Sequence, residues 1–466
     1  MVYKLLINGE LVDGAGVLEV YNPATGAVFD SCPRADEAQL NEAVAGAKAA
    51  FPAWSALSYA ERRRMIEAVA NALKARAEEF ARLLTLEQGK PLLQAKAEVG
   101  GAVYCLRTFA AMEISLKTVR ETEGERIVEQ RTPLGVIGAI TPWNFPLMLL
   151  ALKVGPALIT GNTIVVKPAP TTPLTTLLFG EVAGAILPPG VLNIIVDAND
   201  LGGALTGHPD IAKVSFTGST ATGKKVMESV SSTLKRLTLE LGGNDAAIVM
   251  EGADVNVVAP RIFEAAMTNA GQICLATKRV YAHSSLYDSL CAELARLAGE
   301  AVVGDGLQQG VTFGPVQNKA QFEKVKGFLD AAKADGRVIA GGAPLEREGY
   351  FIAPTIVRDI PDSSRLVREE QFGPVLPVMS FDSIDDAIAR TNDTEYGLGG
   401  TVWTSDGERG VEVAKRIQSG TVWVNKPTEL PLDVPFRGAK QSGIGVENGM
   451  PGLEEYTQAK IINLAL

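Results

Sequence analysis

The chain has 466 residues, more than one ordinary domain needs, so two or three domains are expected. Apolar residues make up 46% of it, enough for a large core, and 54 acidic residues against 44 basic ones give a formal charge of −10. That balance, with no basic block, excludes nucleic acid and an anionic membrane surface as expected partners.

In chain order, "MVYKLLINGELVDG" predicts a strand–turn–strand with Asn8-Gly9 as the turn. It lacks the basic, long apolar and small-residue parts of a secretory signal, and no apolar run approaches the roughly 18–20 residues that span a bilayer. A cytosolic protein is expected. Residues 35 to 113 read as mostly helix, including "YAERRRMIEAVANALKARAEEFARLLTLEQGK" as one run that stops at Gly89 with Pro91 behind it. The charged stretch 114–132 predicts an extended hairpin that leaves the first domain. From 134 the runs "LGVIGAITP", "NTIVVKPAP", "GVLNIIVD" and "IAKVSFTGS" predict strands, with helices such as "PLTTLLFGEVAGAI" between them. Strand–helix alternation with wholly apolar strands predicts a parallel, doubly wound sheet. A second alternating block, from about 244 to 425, contains "DAAIVM", "TKRVYAH", "GTVWTS" and "GTVWVN". The tail "AKIINLAL" predicts a strand that pairs with the 114–132 hairpin, within the chain or across a subunit boundary.

The stretch "FTGSTATGKK" approaches the P-loop pattern, but Lys225 stands where a magnesium-binding hydroxyl is required and the stretch follows a fourth strand rather than a first. A triphosphatase is therefore not expected. A helix opening at Gly218-Ser219 still offers free N–H groups to a phosphate. The dinucleotide fingerprint GxGxxG is absent from the first strand–helix turn.

Four scattered cysteines form no CxxC or Cys/His cluster, so no metal site is expected. Only two histidines exist, which favours a carboxylate as general base. Cys274, in "MTNAGQICLATKR", lies in a polar, Gly-containing stretch that a substrate can approach; most free cysteines are core filler. Glu240 ends the apolar run of "LTLELGGND", where desolvation would raise its pKa and suit a base; the plain alternative is a solvated or capping carboxylate. Asn144 sits in the Pro-bounded "ITPWNFPL", a rigid loop that suits an oxyanion hole or, plainly, a turn amide.

Together the segments "PWNFP", "VVKPA", "FTGST", "LELGG", "NAGQICLA", "EEQFGPVLPV", "GTVWVN", "PFRGAKQSG" and "YTQAKIINL" resemble the aldehyde dehydrogenase superfamily in order and spacing, over nearly the whole chain. The resemblance implies an α/β fold: a Rossmann-like cofactor domain over 1–113 and 133–242, a second α/β catalytic domain over 243–441, and a small β oligomerisation element from 114–132 and 442–466. It implies oxidation of an aldehyde to the carboxylic acid with NAD or NADP. Cys274 matches the nucleophile that forms a thiohemiacetal and then an acyl-thioester. The Asn144 amide and the Cys274 N–H match the oxyanion donors, worth roughly 3–4 kcal/mol each. Glu240 matches the base that activates the hydrolytic water, and Lys153 and Glu447 match polar positions near the centre. Trp143, Gly218, Ser219 and Gly242 match cofactor-side positions, Lys167 the adenosine ribose, and Glu370 and Phe372 the nicotinamide ribose and ring. A homodimer or homotetramer is implied.

One position departs from the pattern. NAD-selective relatives carry a Glu three residues after the ribose-binding Lys, and here that position is Pro170. Both an attraction for NAD and a repulsion of the NADP 2′-phosphate are thus missing. The apolar set Leu147, Leu149, Leu152, Ile273 and Leu275 favours an uncharged aliphatic or aromatic aldehyde. Arg437 replaces a common glycine and reads as a surface salt-bridge residue, with a contact to a carboxylated aldehyde as the alternative. Two rivals stand beside this reading. A coenzyme-A-acylating dehydrogenase is opposed by the acidic Glu240, and a non-catalytic binding protein on the same scaffold is opposed by the presence of thiol, base and amide together.

Overall fold

Short strands buried at every position, such as Val136–Ile140, Thr163–Lys167 and Ala246–Val249, can exist only with both sheet faces covered, and they form the centres of two mainly parallel sheets. The structure is a computed structural model that describes residues 2–466. The first sheet runs Glu10–Val12, Leu5–Ile7, Leu192–Ile194, Thr163–Lys167, Val136–Ile140, Ile211–Thr217, Arg236–Glu240, Gly443–Ile444. From Val136–Ile140 the chain winds outward on one side through Thr163–Lys167 and Leu192–Ile194. It then returns to the other side at Ile211–Thr217. The strand order thus reverses beside Val136–Ile140, the place where open α/β sheets bind ligands at their carboxyl ends.

The second sheet runs Arg337–Ala340, Thr355–Arg358, Val375–Phe381, Arg279–His283, Ala246–Val249, Gly399–Trp403, Thr421–Val424, with only the first strand antiparallel to its neighbour. The N-terminal turn has Asn8 at φ 51° and Gly9 at φ 84°, with Ile7 opposite Glu10. Two left-handed residues match the twist of a tight hairpin. The charged hairpin forms as Lys117–Glu121 and Glu125–Pro133, and Thr457–Ala465 pairs with its second strand in this same chain, from Thr457↔Pro133 to Ala465↔Glu125.

Two details differ from expectation. The long helical run is two helices, Tyr59–Ala75 and Ala77–Gln88. Arg76 breaks it at φ −106°, ψ 19°, and its guanidinium binds Glu79 and Glu181. Apolar residues continue on both sides of the break, with Val69 and Leu73 before it and Phe80 and Leu84 after it all buried, so periodicity does not register it. The stop at Gly89 is as expected, with φ 97° and no room for a Cβ between Pro23 and Pro315. The second difference lies in 442–466. Gly443–Ile444 pairs with Leu239 and Glu240 and closes the edge of the first sheet, and only Thr457–Ala465 joins the hairpin.

Candidate active site

The loops at the carboxyl ends of Val136–Ile140, Thr163–Lys167 and Ile211–Thr217 open onto one cleft of about 780 Å³. That volume is in the range of small-molecule and cofactor pockets. Trp143, Lys167, Pro170, Gly218 and Ser219 all line it. Ser219 caps the helix Thr220–Ser231 by accepting from the Thr222 N–H, so the first turn of that helix faces the cleft with free N–H groups. Lys167 donates to Asp197 at 2.7 Å, and the other Asp197 oxygen accepts from the Leu201 N–H. Among the described residues, none of those lining the cleft is acidic, and Lys225 joins Lys167 there. The cleft thus fits a phosphate-bearing nucleotide.

Asn144 is held from three directions. Its side chain donates to the Gln272 carbonyl at 3.0 Å, and its own carbonyl accepts from Lys90 at 2.9 Å and Asn269 at 3.0 Å. Lys90 is paired with buried Glu98, whose carboxylate accepts the Leu147 and Met148 N–H groups at the start of the helix Pro146–Ile159. The "PWNFP" loop is therefore anchored through a buried ion pair and a capped helix. Opposite it, Asn269 and Ala270 lie at φ 54° and 53°. Such left-handed geometry is uncommon outside glycine and persists where surrounding contacts impose it. It turns the chain after the helix Val255–Met267 so that Gln272, two residues before Cys274, meets the Asn144 side chain.

Cys274 is the one cysteine with partial exposure; Cys32, Cys105 and Cys291 are buried. Burial pushes its thiol up to about 12, the carboxylates of Asp245, Glu240 and Glu370 add to this, and Lys278 opposes it. Glu240 is 5% exposed, and neither carboxylate oxygen has a hydrogen-bond partner. Burial first, then Glu447, hold its carboxyl well above the usual range, against the pull of Lys153. Lys153 in turn contacts Ser215 at 3.0 Å and Glu447 at 3.1 Å. The structure thus brings Glu240, Lys153 and Glu447 together at the inner side of the site. Such an unpartnered, desolvated carboxylate is suited to accept a proton from water.

On the cofactor side, Trp143 and Phe372 meet edge to face with centroids 5.3 Å apart. Phe372 lies at φ 48°, a strained position for an aromatic residue. The Gly243 N–H donates to Glu370 Oε1 at 3.1 Å, and a Cβ on Gly242 would lie 2.5 Å from Glu370 Oε2, so a larger residue there would displace the Glu370 carboxylate.

Some expectations need correction. Leu147 is fully buried in the main core and does not line the cleft. Arg437 is exposed, and no carboxylate pairs with it among the described residues, so it is not a salt-bridge residue. Residues missed by sequence reasoning are the supporting ones: Lys90, Glu98, Asp197, Ser215 and Lys278. They carry no motif of their own. The one available signal was the rarity of charge within otherwise apolar or backbone-dense segments.

The model of the family described as "Aldehyde dehydrogenase family" matches residues 12–462. The putative aldehyde dehydrogenase FUS7 of Gibberella moniliformis is 38% identical over 440 residues, covering 94% of this chain and 94% of its own. The succinate-semialdehyde dehydrogenase (NADP(+)) GabD of Escherichia coli is 37% identical, covering 99% of this chain and 98% of its own. Among solved structures, the NAD+ complex of an aldehyde dehydrogenase from Bacillus cereus superposes with a TM-score of 0.98 at 36% identity, covering 100% of this chain and 97% of its own. With a thiol, an amide donor and a desolvated carboxylate converging below the cleft, and with relatives of this similarity along its length, the chain belongs to the aldehyde dehydrogenase family.

Proposed function

We propose that this protein oxidises uncharged aliphatic or aromatic aldehydes to carboxylic acids, using NAD or NADP, with Cys274 as nucleophile, Asn144 as oxyanion donor and Glu240 as the base for hydrolysis. The observation that carries this reading is the convergence of the half-buried Cys274 with the anchored Asn144 and the unpartnered Glu240. The Cys274 sulfur adds to the carbonyl carbon and gives a thiohemiacetal. The Asn144 amide has a second N–H free to meet the developing oxyanion. Bound nicotinamide supplies the hydride acceptor. Lys167, Ser219, Glu370 and Phe372 would hold the cofactor, and Pro170 and Lys225 flank it. Glu240 then takes a proton from water as that water attacks the acyl-thioester. Lys153 and Glu447 offer a route by which this proton leaves Glu240. In this reading the sheet around Val136–Ile140 is the cofactor unit, and the sheet around Ala246–Val249 is the catalytic unit.

The substrate class follows from the surroundings of the thiol. Cys274 and Ile273 pack against an apolar cluster of Leu275, Leu398, Trp423 and Phe436. A carboxylate brought into that cluster would lose its water among apolar side chains. The three-stranded sheet exposes Val119, Ile461, Ile462 and Leu464, a surface suited to homodimer or homotetramer contacts. Four free thiols fit a reducing, cytosolic compartment. The test is a panel of aliphatic, aromatic and carboxylated aldehydes, each assayed with both cofactors. Faster turnover of carboxylated aldehydes than of uncharged ones of equal length would overturn the substrate class, and no turnover of any would overturn the function.

A further inference from the structure

Below the nucleophile lies a cation that the chemistry above does not use. Lys278 is 1% exposed, on the strand side of the turn that carries Cys274. Its ammonium donates to the Cys274 carbonyl at 2.6 Å and the Ile273 carbonyl at 2.9 Å, and faces Glu370 Oε1 at 3.4 Å. Glu370 Oε1 is the same oxygen that accepts the Gly243 N–H, three residues beyond Glu240. One side chain therefore ties together the nucleophile turn, the turn after the base and the loop that carries Glu370. Asp245 also borders it: its backbone carbonyl accepts the Lys278 N–H at 2.9 Å, while its buried carboxylate has no hydrogen-bond partner. Of the charged groups acting most on the Cys274 thiol, Lys278 is the positive one, and Asp245, Glu240 and Glu370 are the negative ones.

A thiol is reactive as its thiolate, and a buried site with three carboxylates opposes that form unless a cation is fixed nearby. We propose that Lys278 is a positioning residue for Cys274: it pins the nucleophile turn by its carbonyls, and its fixed charge sustains the thiolate against the surrounding carboxylates. Glu370 competes with the thiolate for the same ammonium. Two substitutions should therefore act in opposite directions, which a purely structural lysine would not produce.

The inference rests on Cys274 being the nucleophile, and the experiment separates the two. Full-length, cofactor-free protein is alkylated with iodoacetamide from pH 6 to 10, and the labelled residue is identified by peptide mass. Lys278→Met should slow labelling of Cys274 by about tenfold at pH 8 and move the profile to higher pH, the effect of about one unit in the thiol. Lys278→Arg should recover most of the rate. Glu370→Gln should speed labelling and move the profile to lower pH. If Lys278→Met fails to fold, Lys278→Gln keeps N–H donors for the carbonyls without the charge, and it should slow labelling similarly. Wild-type profiles in the Lys278→Met or Lys278→Gln protein, or slower labelling in Glu370→Gln, would overturn the proposal. Labelling of Cys32, Cys105 or Cys291 in place of Cys274 would instead overturn the assignment of the nucleophile.

Discussion

Lys153 and Glu447, 294 positions apart in the chain, meet at 3.1 Å beside the carboxyl of Glu240. Burial and Glu447 make the folded chain hold the Glu240 proton more tightly than the unfolded chain does. With the folded pKa above the unfolded one, this group's stability contribution is complete below the ordinary carboxylate pKa and is lost as pH rises towards the folded value. Glu240→Gln cannot ionise and escapes that loss. Its melting temperature should match or exceed that of the wild type, with a gap that widens from pH 5.5 to 9. Thermal melts across this range check it, and a gap independent of pH contradicts it.

The same variant separates the two halves of the reaction. An amide cannot take a proton from water, so deacylation should slow while acylation continues. Stopped-flow mixing with a good aldehyde should show a burst of reduced cofactor followed by a steady state at least about a hundredfold below wild type, within the usual worth of a positioned base. Unchanged steady-state rates would remove Glu240 from the mechanism.

Cys274→Ala should abolish aldehyde oxidation and leave cofactor binding intact, because Cys274 does not line the nucleotide cleft. Fluorescence titration with cofactor and an activity assay on one preparation check both halves. Substantial turnover in this variant would refute the assignment.

Cofactor choice turns on a missing charge. Pro170 lines the cleft where a carboxylate would repel a 2′-phosphate, no acidic residue lines it among the described residues, and Lys167 and Lys225 both line it. One nearby carboxylate, Asp197, is fully buried and already bound to Lys167 and the Leu201 N–H. We expect kcat/KM for NAD and NADP to agree within roughly tenfold, about 1.4 kcal/mol. Pro170→Glu should shift the preference towards NAD. Steady-state kinetics with both cofactors on one aldehyde decide it, and a thousandfold preference for NAD in the wild type would refute it.

The buried pair under the Asn144 loop should be costly to break. Lys90→Met leaves Glu98 charged, buried and bound only to the N–H groups of Leu147 and Met148. Losing one partner of such a pair costs about 3–5 kcal/mol. Urea unfolding should show a loss of that order, and kcat should fall with it as Asn144 loses a contact to its carbonyl. A change below about 1 kcal/mol would show the pair to be dispensable.

Much of the fold was legible because its signals are local. Asn8-Gly9 marks its turn by backbone preference, Gly89 marks a helix end, and all-apolar runs such as Val136–Ile140 mark strands with two covered faces. The candidate site residues were legible through their motifs: Cys274, Glu240 and Asn144 each stand in a short pattern that matches the family. The break at Arg76 was not, because the amphipathic period runs on through it.

The sequence by itself pointed to the element types and the two alternating α/β blocks, offered Cys274, Asn144 and Glu240 as candidates through their family motifs, and placed no carboxylate at Pro170. Local propensity, apolar period and residue chemistry act over a few residues and can be read without knowing the neighbours. Only the tertiary structure decided what surrounds those residues. It buried Leu147 in the core, left Arg437 unpaired, sent Gly443–Ile444 to the edge of the first sheet, and placed Lys278 under Cys274 and Lys90 under Asn144. The physical reason is that burial and charge pairing depend on which distant segments share a space, and that is set by how the sheets and helices pack.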